Sequence, residues 1–92
     1  MNKDFEARVG KTTDTLRAVA KKEKIVITPD DRVGEADASH LIGYAPKSLA
    51  SMRKNFESGP VWYRAPAGQA QVSYRLRDLA VWIENKREGS GI

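Results

Sequence analysis

The sequence predicts a mainly α-helical fold with one small β-hairpin, and three observations carry that expectation. Apolar residues recur at three- and four-residue spacing in several stretches. After Gly59-Pro60 the period drops to two on either side of a turn at residues 66–70. The chain has 92 residues, 40% of them hydrophobic, enough for one domain with one modest core. It has no cysteine, and His40 is the single histidine, which removes disulfides, thiolate nucleophiles and the usual zinc-ligand sets. No catalytic residue, metal or cofactor is expected. No apolar run approaches the ~20 residues of a membrane span, and Met1-Asn2-Lys3-Asp4 lacks a signal-peptide pattern, so no membrane association and a cytoplasmic location are expected.

Taken in order, Phe5, Val9, Leu16, Val19 and Ala20 predict an amphipathic helix over 5–20. Gly10 weakens its middle and Thr12, Thr13 or Asp14 can cap a restart, so the stretch reads as one helix with a soft point or as two short ones. Ile25-Val26-Ile27 is β-branched and bounded by Thr28-Pro29-Asp30-Asp31, which predicts a short strand and then a turn. A helix follows from Glu35 to Ile42 with Ala38, Leu41 and Ile42 inward, closed by a left-handed Gly43. Pro46 suits the first position of the next helix, whose stripe is Leu49, Met52 and Phe56. Ser58-Gly59-Pro60 is expected to end it with a left-handed cap and a proline stop. Val61 to Ala65 and Gln71 to Arg75 form the hairpin, with Val72 and Tyr74 inward. A last helix from about Leu76 to Lys86 places Leu76, Leu79 and Ile83 on one face with Trp82 at its edge.

Two short helices around Gly43-Tyr44-Ala45, a hairpin and a closing helix have the layout of a helix-turn-helix with a wing. The fold class is therefore a winged helix-turn-helix with an N-terminal helical extension: residues 1–33 as the extension with its short strand, 34–88 as the DNA-binding domain, 89–92 as a flexible tail. Charge follows this division. The net charge is +4, and residues 38–77 hold six basic side chains against the single acid Glu57, so a polyanion meets little repulsion there. Opposite the apolar stripe of the second helix, steps of 100° per residue gather Lys47, Ala50, Ser51 and Lys54. That face is small and basic, suited to base edges and phosphates. Arg53 lies near the core rim and is assigned to phosphate. The candidate DNA-contacting residues are Lys47, Ser48, Ser51, Arg53 and Lys54 on the helix and Arg64, Gln69, Gln71 and Arg75 on the hairpin.

Five ordered blocks carry a resemblance. They are Asp37-Ala38-Ser39-His40-Leu41-Ile42-Gly43-Tyr44-Ala45, Ser48-Leu49, Gly59-Pro60, Val72-Ser73-Tyr74-Arg75 and Arg77-Asp78-Leu79-Ala80-Val81-Trp82-Ile83. Together they resemble the phage excisionase and AlpA-like regulator family, a MerR-related winged helix-turn-helix family. The resemblance implies sequence-specific binding of double-stranded DNA by a small bacterial or phage-encoded, nucleoid-associated protein, either in transcription regulation or as an excisionase that bends DNA and sets the direction of recombination. It implies a recombinase as a further partner. Met52 stands where that family often has an aromatic residue, Ser39 replaces its second alanine, and the wing tip from Ala65 to Ala70 is longer and less basic. The alternative class is a protein-interaction module on the same scaffold.

Other patterns are set aside. Gly10-Lys11-Thr12 lacks the earlier glycine and strand of a phosphate loop. Asp30, Asp31, Glu35 and Asp37 lack the ligand alternation of a calcium loop and are read as turn and capping residues. Ser39 and His40 are helix neighbours that do not face each other. Trp62, Tyr63, Tyr74 and Trp82 are read as core in preference to a base-stacking platform. The Phe5-to-Ala20 stripe is either a seam for self-association, which would make DNA binding cooperative, or a helix laid over the domain.

Overall fold

The computed structural model describes residues 3–55, 57–64 and 72–87. Among these, four helices and one three-stranded antiparallel sheet follow one another as α1 (Lys3–Lys22), β1 (Arg32–Gly34), α2 (Glu35–Leu41), α3 (Ser48–Lys54), β2 (Tyr63–Arg64), β3 (Val72–Arg75) and α4 (Leu76–Asn85). Phe56, Gln69, Gln71, the wing tip at 65–70 and the tail at 89–92 lie outside the described residues.

The first helix is continuous. Val9, Thr13, Leu16 and Ala20 form its buried face, a four-, three- and four-residue spacing that keeps one side against the core. Thr13 is admitted there because its hydroxyl donates to the Val9 carbonyl at 2.7 Å, leaving no unpaired polar group. Gly10 interrupts nothing, since packing decides more than propensity in a helix whose apolar face is covered. A Schellman pair closes the helix: the Ile25 N–H reaches the Ala20 carbonyl at 2.9 Å and the Lys24 N–H the Lys21 carbonyl at 3.2 Å, with Lys24 left-handed at φ 59°.

α1 packs chiefly on α4. The contact is reinforced at its rim by Arg8 to Glu84 at 3.2 Å, Arg77 to Glu6 at 2.9 Å and the Thr12 hydroxyl to Glu84 at 2.8 Å. Val9 and Leu16 belong to the same cluster as Val33, Leu49, Tyr74 and Leu79. The core therefore runs across the boundary drawn after residue 33, and Val9, Leu16 and Ala20 of the α1 stripe are covered by their own chain while Phe5 and Val19 are half-buried.

The expected strand at Ile25-Val26-Ile27 is absent. Val26 is 80% exposed, while Ile25 and Ile27 lean on the core as the chain crosses from α1. The strand that pairs is Arg32–Gly34, after the expected turn, which Thr28 and a left-handed Asp31 (φ 63°) shape. The Asp31 N–H meets the Thr28 carbonyl at 2.9 Å, and the Arg32 N–H meets the Thr28 hydroxyl at 2.9 Å. The sheet order is β1-β3-β2, with Arg32 opposite Arg75, Val33 opposite Tyr74, Tyr63 opposite Ser73 and Arg64 opposite Val72. Alternation puts Val33, Val72 and Tyr74 on the core face and Arg32, Tyr63, Ser73 and Arg75 on the other.

α2 ends as expected. Gly43 sits at φ 83°, with its N–H on the His40 carbonyl at 3.0 Å and the Tyr44 N–H on the Ser39 carbonyl at 2.8 Å. α3 departs from expectation at both ends. Pro46 lies in a turn closed by the Ser48 N–H on the Ala45 carbonyl at 3.0 Å, the place where a fixed φ is favoured, so Lys47 becomes the N-cap. At the far end the helix stops at Asn55, ahead of Ser58-Gly59-Pro60, and Gly59 is not left-handed. Its missing side chain serves close approach instead, since a Cβ there would lie 3.5 Å from the Met52 sulfur.

Candidate functional site

α3 is two turns long, too short to hold its shape alone, so its placement rests on what fastens it. Leu49 is buried beneath it. At its start the Leu49 N–H donates to the Ser39 hydroxyl at 3.3 Å, so a buried serine of α2 supplies an acceptor to an otherwise unpaired helix N–H. At its end Arg53 forks onto Glu35, Nε to Oε2 at 3.0 Å and Nη2 to Oε1 at 2.8 Å. The Tyr74 hydroxyl donates to the same Oε2 at 2.6 Å. Three donors on one carboxylate hold Glu35 ionised: Arg53 first, opposed by burial and helped by Tyr74, keeps its pKa below the ordinary value. Burial and then the hydrogen bond to Glu35 push the Tyr74 phenol up, and Glu35 raises Arg53.

Fastened this way, α3 turns Lys47, Ser51 and Lys54 to solvent and leaves Ala50 half-buried. These four and Asn55 line one open depression. Neither Lys47 nor Lys54 forms a salt bridge among the described residues, though the Lys54 charge is one of the weaker influences lowering the Glu35 pKa. Asn55 was missed by sequence reading, although it continues the face four residues beyond Ser51, to whose hydroxyl its amide donates at 3.3 Å. Ser48 is half-buried. The expected face is thus one surface of exposed cations and small polar groups, able to meet an anion and to donate to or accept from a planar ring edge.

The remaining candidates divide. Arg53 is paired with Glu35 and lies 5.3 Å from the Trp62 ring centroid, a fastening contact that sequence reading did not assign to it. Arg64 is exposed and lies 5.5 Å from the same ring, which links the hairpin to the end of α3. Arg75 is parted from them, on the outer face of the sheet, 5.2 Å from Tyr63, with Arg32 at 5.7 Å from that ring. Gln69 and Gln71 fall outside the described residues. Of the four aromatics read as core, Tyr74 and Trp82 are buried, Tyr63 is half-buried and Trp62 is 39% exposed.

The acidic group is dispersed into separate pairs. Asp30 takes the Thr28 hydroxyl at 2.6 Å and Arg32 at 3.0 Å, and Asp31 takes Arg17 at 2.6 Å, while Glu35 is the half-buried partner of Arg53 already described. His40 contacts Glu23 at 2.7 Å and is hydrogen-bonded to no nucleophile among the described residues. No described helix is long and apolar enough to cross a membrane. Comparison of the chain with protein-family models, with curated proteins and with solved structures finds no match.

Proposed function

We propose that this chain is a sequence-specific double-stranded DNA-binding protein, a small transcription regulator or excisionase, in which α2, the turn at Gly43 and α3 act as a helix-turn-helix and β2 with β3 as its wing. The observation that carries the reading is the outer face of α3, where exposed Lys47 and Lys54 flank Ser51 and Ala50, with neither lysine in a salt bridge among the described residues. An α-helix fits the major groove when the side chains on its outer face are small or able to bond base edges, and two exposed lysines add counterion release. Arg64 extends the cationic surface toward the hairpin. The resemblance of the sequence blocks to excisionases and AlpA-like regulators points the same way, with cooperative self-association and a recombinase as the partners of an excisionase.

The test is a titration of duplex DNA with the wild-type chain and with the Lys47→Ala, Lys54→Ala double variant. Two lost phosphate contacts should make the slope of log affinity against log salt shallower by about 2. An altered base preference would instead mark either lysine as a base reader. Unchanged affinity removes α3 as the reader. A second reading, a protein-interaction module, draws on the adjacent exposed Val61 and Trp62, and it predicts no DNA binding even at low salt.

A further inference from the structure

α3 is held at two points. Its first turn is bonded to Ser39, and its last turn is bonded through Arg53 to Glu35. The second attachment continues in both directions. Glu35 is tied to β3 by the Tyr74 hydroxyl, and Arg53 shares the Trp62 ring with Arg64 of β2. One line of contacts, Tyr74 to Glu35 to Arg53 to Trp62 to Arg64, therefore joins α2, α3 and both strands of the hairpin. The fork of Arg53 on Glu35 fixes rotation as well as distance, because two parallel bonds from a planar guanidinium allow one orientation. In a helix of seven residues, rotation about its own axis decides which of Lys47, Ser51 and Lys54 faces a groove.

We propose that Glu35 is the positioning residue of this reading head: it touches no nucleic acid itself but sets the rotation of α3 through Arg53 and, through Arg53 and Trp62, the placement of Arg64. The proposal rests on the DNA-binding reading and adds a prediction whose sign is opposite to that of simple electrostatics. Glu35→Gln removes a negative charge from a protein of net charge +4, so Coulomb attraction alone tightens binding to every duplex. A positioning role instead costs discrimination: the preferred duplex loses affinity while a scrambled duplex binds as well as before or better.

The experiment uses the full chain. A preferred duplex is selected from a randomised library with the wild type. Dissociation constants for it and for a scrambled duplex of the same length and composition are then measured at one salt concentration, well below the melting temperature of each variant. In Glu35→Gln and Arg53→Lys the ratio of the two constants should fall about tenfold, the scale of one misdirected base contact. Arg53→Lys keeps the charge but loses the fork, so a plain phosphate contact would survive that change. Trp62→Phe keeps an aromatic face and should stay near wild type, whereas Trp62→Leu should not. Should Glu35→Gln fail to fold, Tyr74→Phe, which removes only the hydroxyl on Glu35, must lower the ratio in its place. A ratio within twofold of wild type in both Glu35→Gln and Arg53→Lys overturns the positioning role and leaves DNA binding standing. A wild type that selects no duplex overturns the DNA-binding reading and this proposal with it.

Discussion

The Glu35 carboxylate stays charged in a half-closed setting because Arg53 and Tyr74 replace the water it gives up. That exchange fixes the sign of a pH effect. The folded pKa lies below the ordinary value of 4.5, so the folded state binds this proton more weakly than the unfolded state does. The stabilisation is fully present above pH 4.5 and is lost as pH falls through the folded value. In urea titrations from pH 7 to pH 3, wild type should therefore hold its largest advantage over Glu35→Gln at the neutral end, with the gap closing below about pH 4.5. A gap that does not change with pH would remove the ion pair as its cause. This pairing was not legible in the sequence. Glu35 and Arg53 are 18 positions apart on different helices, and Arg53 placed on a helical wheel shows its rim position but not the carboxylate that the neighbouring helix brings to it. Lys47, Ser51 and Lys54 were legible, because their exposure follows from the period of their own helix once Leu49 is placed inside.

Helices carry their own period, and each of the four lies close to where apolar spacing placed it. Strands do not. β1 contains one buried apolar residue, Val33, and exists because β3 lies beside it, a partner about forty positions away that no local pattern announces. Ile25-Val26-Ile27 has the right residue types and no strand partner among the described residues. Two glycines, Gly10 inside a helix and Gly43 at a helix end, separate propensity from geometry. Gly10 lies inside α1 with nothing within 4 Å of an added Cβ, so Gly10→Ala should stabilise by about 0.5–1 kcal/mol. Gly43 has equal room but a φ of 83°, so Gly43→Ala should destabilise by about 1–2 kcal/mol. Thermal or denaturant melts of the two variants read this directly, and shifts of the same sign would contradict it.

At the scale of the whole molecule, α1 and the rest share one core. From sequence, the segments after residue 33 contain a self-consistent apolar set, which predicts that α1 can be removed. In the structure Leu16 is 5% exposed and Val9 is fully buried in the cluster that includes Leu79. Leu16→Ala should therefore cost about 2–5 kcal/mol, a large share of a small domain's stability, and a chain lacking residues 1–24 should not melt cooperatively. A truncated chain with a native-like cooperative melt would restore the extension as a separate element.

The same core presents α3 as a fixed outer rib with its cations turned to solvent, which is the basis of the DNA-binding account. The most direct measurement is a fluorescence titration of the full chain against pooled duplex fragments at two salt concentrations, followed by sequencing of the bound fraction at the higher one. The account predicts that total binding falls steeply with salt while a subset of fragments sharing a short common sequence is retained. Absence of binding at the lower salt, or retention of all fragments alike at the higher, would contradict it.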